Sequence, residues 1–149
     1  MSEHRGAVDV EASGELENRA VVRSGHELAC RKTTTLAQVA RHAIVCMPTG
    51  TGLRTVLDQA CAARNLRPRI VIQASAADSI ADLAARGLGV GILSSSLAAT
   101  QEARLRVLPI RDVAIPALLA VLWRRSGSAA ARELAERCRT AFNIATPAA

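Results

Sequence analysis

The chain is expected to fold as an α/β domain, a mainly parallel sheet flanked by helices. Three observations carry that expectation. From residue 43 to residue 93, short apolar runs alternate with segments whose apolar residues recur every three to four positions. The run Ile44-Val45-Cys46-Met47 is apolar without interruption, as in a strand covered on both faces. Gly, Pro and Thr punctuate the boundaries, as in Pro48-Thr49-Gly50-Thr51-Gly52 and Gly87-Leu88-Gly89.

Residues 1–32 are the least defined. Val8–Glu11 and Arg19–Arg23 are candidate short strands separated by Ser-Gly turns, and their order is left open. A helix starts at Thr35, where Thr35 as N-cap and Gln38 three residues on make a capping box. It delivers the chain to a strand over 43–47. Leu53, Val56, Leu57, Ala60 and Cys61 then mark one face of a helix, with Arg67-Pro68 as its stop. Arg69–Gln73 is a β-branched strand. Ser75-Ala76-Ala77-Asp78 has the form of a second capping box, opening a helix with Ile80, Leu83 and Ala84 inward and Gly87 at its C-terminus. Val90–Leu93 is a short strand whose flanking and internal glycines, Gly89 and Gly91, allow close approach. Ser94–Leu97 opens a loop or short helix. Leu105–Ile110 is a strand that Pro109 confines to an edge or an end, and Ala117–Trp123 is a buried strand. Ser128 caps a last helix with Ala131, Leu134, Ala135, Cys138 and Phe142 as its apolar stripe and Glu133–Arg137 as a pair on its wet side.

The 149 residues, half of them apolar, fit one domain. No stretch approaches the ~20 apolar residues of a membrane span. The polar start, Met1–Gly6, has no apolar run behind it, so a cytoplasmic location is expected. The net charge of +6 comes from 19 basic against 13 acidic side chains, with Lys32 the single lysine. The arginines are scattered, with adjacent basic pairs only at Arg31-Lys32 and Arg124-Arg125. Trp123 and Phe142 are the two aromatics, which argues against a base-stacking surface. Cys30, Cys46, Cys61 and Cys138 form no C-x-x-C pair and have no histidine at zinc-finger spacing, so they read as buried reduced thiols. No metal and no cofactor is expected.

Ligands of open α/β sheets sit beyond the carboxyl ends of strands, against helix N-termini. Two such ends are readable. Thr49-Gly50-Thr51-Gly52 gathers hydroxyls and backbone N–H groups at a helix start, and Ser75-Ala76 does the same one strand later. Such groups suit a carboxylate, sulfate or phosphate. The loop is neither a P-loop nor a dinucleotide fingerprint. His4, His26 and His42 read as exposed, Asp78 and Asp82 as solvent-facing, and no catalytic residue is assigned.

Leu36-Ala37-Gln38, Ile44-Val45, Pro48–Arg54, Asp78-Ser79-Ile80, Gly87–Leu93 and the ending Trp123-Arg124-Arg125 together resemble the LysR-type transcriptional regulators, in the C-terminal part of their effector-binding domain, over about Leu28 to Phe142. The resemblance implies a periplasmic-binding-protein-like (type 2) lobe with an incomplete partner lobe. It divides the chain into a poorly defined segment or remnant of the first lobe (1–32), an effector-binding domain (33–142) and a tail (143–149). Within 33–142, residues 43–108 would be the second lobe, and 109–142 a crossover strand and C-terminal helix returning to the first. The helix-turn-helix of the family and most of its first lobe have no counterpart, so the chain reads as truncated.

The resemblance implies a non-catalytic regulatory module for a small anionic effector. The effector would be held by Thr49, Gly50, Thr51, Gly52, Ser75 and Ala76, with Thr51 and Ser75 as hydroxyl donors and Leu93 and Ser94 on the cleft wall. A homo-oligomer is expected, with no membrane partner and with DNA reached only through a helix-turn-helix domain outside this chain. Two alternatives stand beside it. A small α/β enzyme would need an acid or base in the crevice, and Asp78 alone is placed for that. A stand-alone solute-binding protein would need an export signal.

Overall fold

The computed structural model describes residues 8–113, 117–124 and 128–142. In chain order the elements are β1 (Val8–Leu16), β2 (Asn18–Val22), a 3-10 turn (Glu27–Cys30), α1 (Leu36–Val39), β3 (Ala43–Cys46), α2 (Gly52–Ala62), β4 (Arg69–Gln73), α3 (Ala77–Ala85), β5 (Val90–Ser94), α4 (Ser95–Ala99), β6 (Arg106–Pro109), β7 (Ala117–Arg124) and α5 (Ala129–Phe142). They fall into two compact units, Leu16–Ala117 and the two chain ends, Met1–Glu15 with Leu118–Ala149.

The larger unit is built on a five-stranded sheet in the order β4-β3-β5-β2-β6. β3 runs parallel to β4 and β5, whereas β2 is antiparallel to β5 and β6. Four strands thus point one way and β2 alone the other, the mainly parallel sheet expected. The segment left open in the sequence supplies this interior strand, between β5 and β6: Ala20, Val21 and Val22 are wholly enclosed. The unit therefore begins at Leu16, ahead of the expected lobe boundary at 43. Alternation along β2 sends Ala20 and Val22 to one face of the sheet and Val21 to the other. Under α1 and α2, Ala20 and Val22 pack with Leu36, Val39, Ile44, Leu57 and Ile92. Under α3 and α4, Val21 packs with Val45, Ile80, Ala84, Leu93 and Ala98. Two helix layers on one sheet give a single core on each face.

Local signals place most boundaries. The Thr35–Gln38 capping box forms in both directions, at 3.3 Å from the Gln38 N–H to Thr35 Oγ1 and 3.1 Å from the Thr35 N–H to Gln38 Oε1. All five residues of the α2 stripe are buried. α2 stops before the expected Arg67-Pro68. Asn65 takes φ 53°, its N–H bonds Ala62 O and the Leu66 N–H bonds Cys61 O, a Schellman ending built on asparagine. Gly87, at φ 79°, closes α3 in the same way, as expected. Gly89 allows β5 to lie against β3: a Cβ there would stand 2.5 Å from the Ala43 carbonyl oxygen. β6 is an edge strand ending at Pro109.

Three expectations are corrected. Ser75 does not cap α3; the N-cap is Ala76, whose methyl offers no acceptor. The helix starts one residue late because the extended chain continues through the bond from the Ala74 N–H to Cys46 O. Cys30 is exposed, since it ends the surface 3-10 turn, whereas Cys46 and Cys61 are buried. Leu134 is exposed too, because α5 turns Ala135 and the half-buried Ala131 and Cys138 inward.

The smaller unit holds a two-stranded sheet of β1 and β7, together with α5. Ser128 caps α5 through the Ala131 N–H, and Glu133 pairs with Arg137 at 3.0 Å. The expected tail 143–149, His4 and Arg125 lie outside the described residues, as do the side chains of Trp123 and Phe142. Among the described residues no helix is long and apolar enough to cross a membrane.

Candidate functional site

The carboxyl ends of β3, β4 and β5 lie along one edge of the larger unit's sheet. Cys46 and Gln73 are register partners, so the loops that follow β3 and β4 leave from adjacent positions. The first loop, Pro48–Thr51, turns at Gly50, whose φ of 89° suits glycine. It feeds α2 with Thr51 as N-cap. The Thr51 hydroxyl does not cap the helix; it donates to the Pro48 carbonyl at 2.9 Å. The second loop feeds α3 from Ala76. The Ser75 hydroxyl is exposed and has no protein partner among the described residues. Two helices of 11 and 9 residues therefore start at the ends of adjacent strands, α2 on one face of the sheet and α3 on the other, and neither has a side-chain cap on its first-turn N–H groups. Those donors and the positive helix ends point toward an anion.

Two residues that the sequence reading missed hold this edge together. Gln73 Oε1 accepts from the Thr49 N–H at 3.3 Å and from Arg54 at 3.2 Å. Arg54 also bonds Asp58 at 2.9 Å and reaches the Met47 carbonyl and the Cys46 sulfur. Its hydrogen bond to Asp58 holds the guanidinium above its ordinary pKa. Burial pushes the Cys46 thiol up, against the opposing pull of Arg54. The thiol therefore stays protonated and serves packing. Arg54 is spent on the scaffold and anchors the loop. The pairing of Arg54 with Asp58 four residues on was a signal for that role.

Ser94 and Leu93 fare differently from expectation. Ser94 is the N-cap of α4, accepting from the Leu97 N–H at 3.4 Å, and its hydroxyl lies 3.2 Å from that of Ser96. Leu93, expected on the cleft wall, is wholly enclosed in the core between β2, β3 and α3. Its side chain points into the sheet face because β5 is covered on both sides. Asp78, the single candidate acid or base, accepts a hydrogen bond from Gln101, and Asp82 pairs with Arg104. Both acids tie α3 to the chain around α4.

A cavity of about 300 Å³ lies at the opposite, amino edge, lined by Glu27, Arg31, Gln38, Arg41 and His42. Its polar groups are largely used internally. Glu27 pairs with His42 at 3.0 Å, and Gln38 is consumed by the capping box. His26 and His42, expected to be exposed, are half-buried with rings 4.7 Å apart, and His26 Nδ1 caps the 3-10 turn through the Leu28 N–H. Burial, then the neighbouring His42, pushes the His26 imidazole below its ordinary value. The carboxyl edge is the better site because its helix donors are unspent. Among the described residues no group of three His, Cys, Asp or Glu side chains could hold a metal ion.

The chain is 27% identical over 106 residues to the uncharacterized HTH-type transcriptional regulator YwbI of Bacillus subtilis (strain 168), an alignment covering 70% of this chain and 35% of that protein. The chain thus spans about a third of the length of that curated relative. Among solved structures it is similar to the effector binding domain of QuiR in complex with shikimate, with TM-score 0.78, 20% identity, and 96% of this chain and 69% of that one covered. It is likewise similar to the Synechocystis PCC6803 CcmR regulatory domain in complex with 2-PG, with TM-score 0.77, 14% identity, and coverage of 95% and 70%. Residues 2–143 match the LysR substrate binding domain. A match over nearly the whole length settles the family: the chain belongs to the LysR substrate binding domain family.

Proposed function

We propose that the chain is the effector-binding module of a LysR-type regulator and that it binds a small anionic metabolite without chemistry. The carrying observation is the pair of uncapped helix starts at the carboxyl ends of the adjacent strands β3 and β4. On this reading the backbone N–H groups of Gly52 and Ala77 and their neighbours hold the anion. Thr49, Gly50 and Thr51 shape one side of it, and Ser75 and Ala76 the other. The Ser75 hydroxyl is free to donate, whereas Thr51 must release Pro48 to do so. Ser94 borders the same edge, and Leu93 takes no part. Ligands named for two similar domains, shikimate and 2-PG, favour a small anion.

The engagement of Asp78 by Gln101 weighs against an enzyme, because a general base needs a free, aimed carboxylate. The module would work in the cytoplasm within a homo-oligomer, with DNA contacts supplied by a helix-turn-helix domain. A thermal-shift screen of the chain against small carboxylates, sulfate and phosphate tests the reading. A saturable rise in Tm that Ser75→Ala reduces and Thr51→Ala alters supports it. A cooperative melt that no anion moves beyond its ionic-strength control refutes it for this chain.

A further inference from the structure

We infer that the amino edge of the larger unit's sheet is a contact surface for the phosphate backbone of duplex DNA. The inference does not depend on the anion site at the opposite edge. Arginines that are scattered along the sequence are gathered here by the topology. In the sheet order β4-β3-β5-β2-β6, this edge carries Arg69 at the start of β4 and Arg41 just before β3. Arg86 follows at the end of α3, ahead of β5, then Arg23 directly after β2 and Arg106 at the start of β6. β2 runs against the other strands, so its last residue reaches this edge: Val22 is in register with Arg106. The Arg23 side chain lies against Gly87, next to Arg86; a Cβ on Gly87 would stand 3.0 Å from Arg23 Nε. Arg31 joins the row from the end of the 3-10 turn, sharing with Arg41 and His42 the cavity of about 300 Å³.

All six arginines are exposed, and none forms an ion pair among the described residues. Two acids that could neutralise the row are taken, Glu27 by His42 and Asp82 by Arg104, while Glu102, ahead of β6, offsets one charge. At the carboxyl edge, by contrast, Arg19 is paired with Glu17 and Arg54 with Asp58. Like charges on neighbouring strands repel, so the row costs stability until an anionic partner meets it. Its spacing fits a linear polyanion. Neighbouring strands lie ~4.8 Å apart, so five strand ends span roughly 19 Å. Over that axial length each strand of B-DNA presents about five phosphates, and the arginine fork matches phosphate geometry. Neither Trp123 nor Phe142 belongs to this unit, so bases find no stacking platform and the contact is independent of sequence. Among the described residues Leu88 is the one large exposed apolar side chain on this edge, too little for the apolar core of a protein interface.

Fluorescence anisotropy of a labelled duplex of random sequence, titrated with the chain over a range of salt concentrations, tests the inference. With about five phosphates neutralised, affinity is expected to fall about 500-fold between ~50 and ~200 mM salt. Arg41→Gln, Arg69→Gln and Arg106→Gln, in the middle and at the two ends of the row, are each expected to weaken binding and to lower the logarithmic salt slope by about one. Arg111→Gln removes the same charge at the carboxyl edge and is expected to change neither. No binding at the lowest salt overturns the inference. So does an equal loss in Arg111→Gln, which would make net charge the cause. Full binding in Arg69→Gln and Arg106→Gln refutes the row. Displacement of the duplex by polyglutamate of equal charge assigns the edge to an acidic protein and overturns the choice of DNA.

Discussion

Replacing Ala76 with Asp drives stability and binding in opposite directions. Ala76 sits at the N-cap of α3 with φ −107° and ψ 133°, the extended geometry of a capping residue, yet contributes no acceptor. An aspartate there would accept from the first-turn N–H groups and place a negative charge at the positive helix end. Ala-to-Asp at an N-cap is worth about 1 kcal/mol, slightly reduced here by Asp78 in the same turn. For a chain of this size that corresponds to a Tm increase of about 3 °C. The same carboxylate occupies the donors assigned to the effector and repels any anion. In the wild-type chain, an anion of the proposed class, for which malate serves as the probe, would at about a hundred times its Kd add about 2.7 kcal/mol, or roughly 8 °C. The variant is expected to start higher and to gain almost nothing. Differential scanning fluorimetry with and without malate, against sodium chloride of equal ionic strength, reads both effects. A variant that keeps the full malate response, or melts below wild type, refutes the assignment of the α3 N-terminus to the anion.

Other expectations concern the scaffold. Gly89→Ala would press a methyl onto the Ala43 carbonyl and loosen β5 from β3, at a cost of about 1–3 kcal/mol, whereas Gly25→Ala, with nothing within 4 Å, is expected to be near neutral; urea unfolding of the two separates them. Thr35→Ala removes the Oγ1 that accepts from the Gln38 N–H, while the Thr35 backbone N–H can still reach Gln38 Oε1, and it is expected to cost about 1 kcal/mol in the same assay. Because burial lowers the His26 pKa from 6.5, the unfolded chain binds its proton more readily. Its contribution is therefore complete above pH 6.5 and lost as pH falls below that value. His26→Asn preserves an acceptor for the Leu28 N–H and is expected to flatten that part of the stability–pH curve between pH 7 and 5.

Much of the fold was legible because its signals are local and periodic. The α2 stripe repeats on the helical period and buries every member. Thr35 with Gln38, Gly87 and Pro109 each act through their own backbone geometry. β2 was hard to read for the opposite reason. Five residues, one of them the polar Asn18, give no period, and their burial comes from β5 and β6, which arrive 70 or more residues later. The α3 cap slipped by one residue because the length of the extended chain after β4, set by a cross-strand bond to Cys46, outweighed the Ser75 signal. The end of α2 at Asn65 was missed because asparagine took a left-handed role that the sequence reading assigned to the later proline.

At the site, the Thr49–Gly52 loop was visible as hydroxyls and glycines before a helix. Its supports were not: the Gln73 and Arg54 contacts span 24 and 19 residues of sequence. Leu93 illustrates the limit from the other side. An apolar residue beside a serine reads equally as a cleft wall or as core, and only the packing of β2 and α3 around it decides for the core.

The most direct test of the account is an amide chemical-shift titration of the isotopically labelled chain with malate. The expected result is saturable shifts concentrated at Gly52 and Leu53 on α2 and at Ala77 and Asp78 on α3. Saturable shifts clustered instead around Glu27, Arg41 and His42, at the amino edge of the sheet, would contradict it.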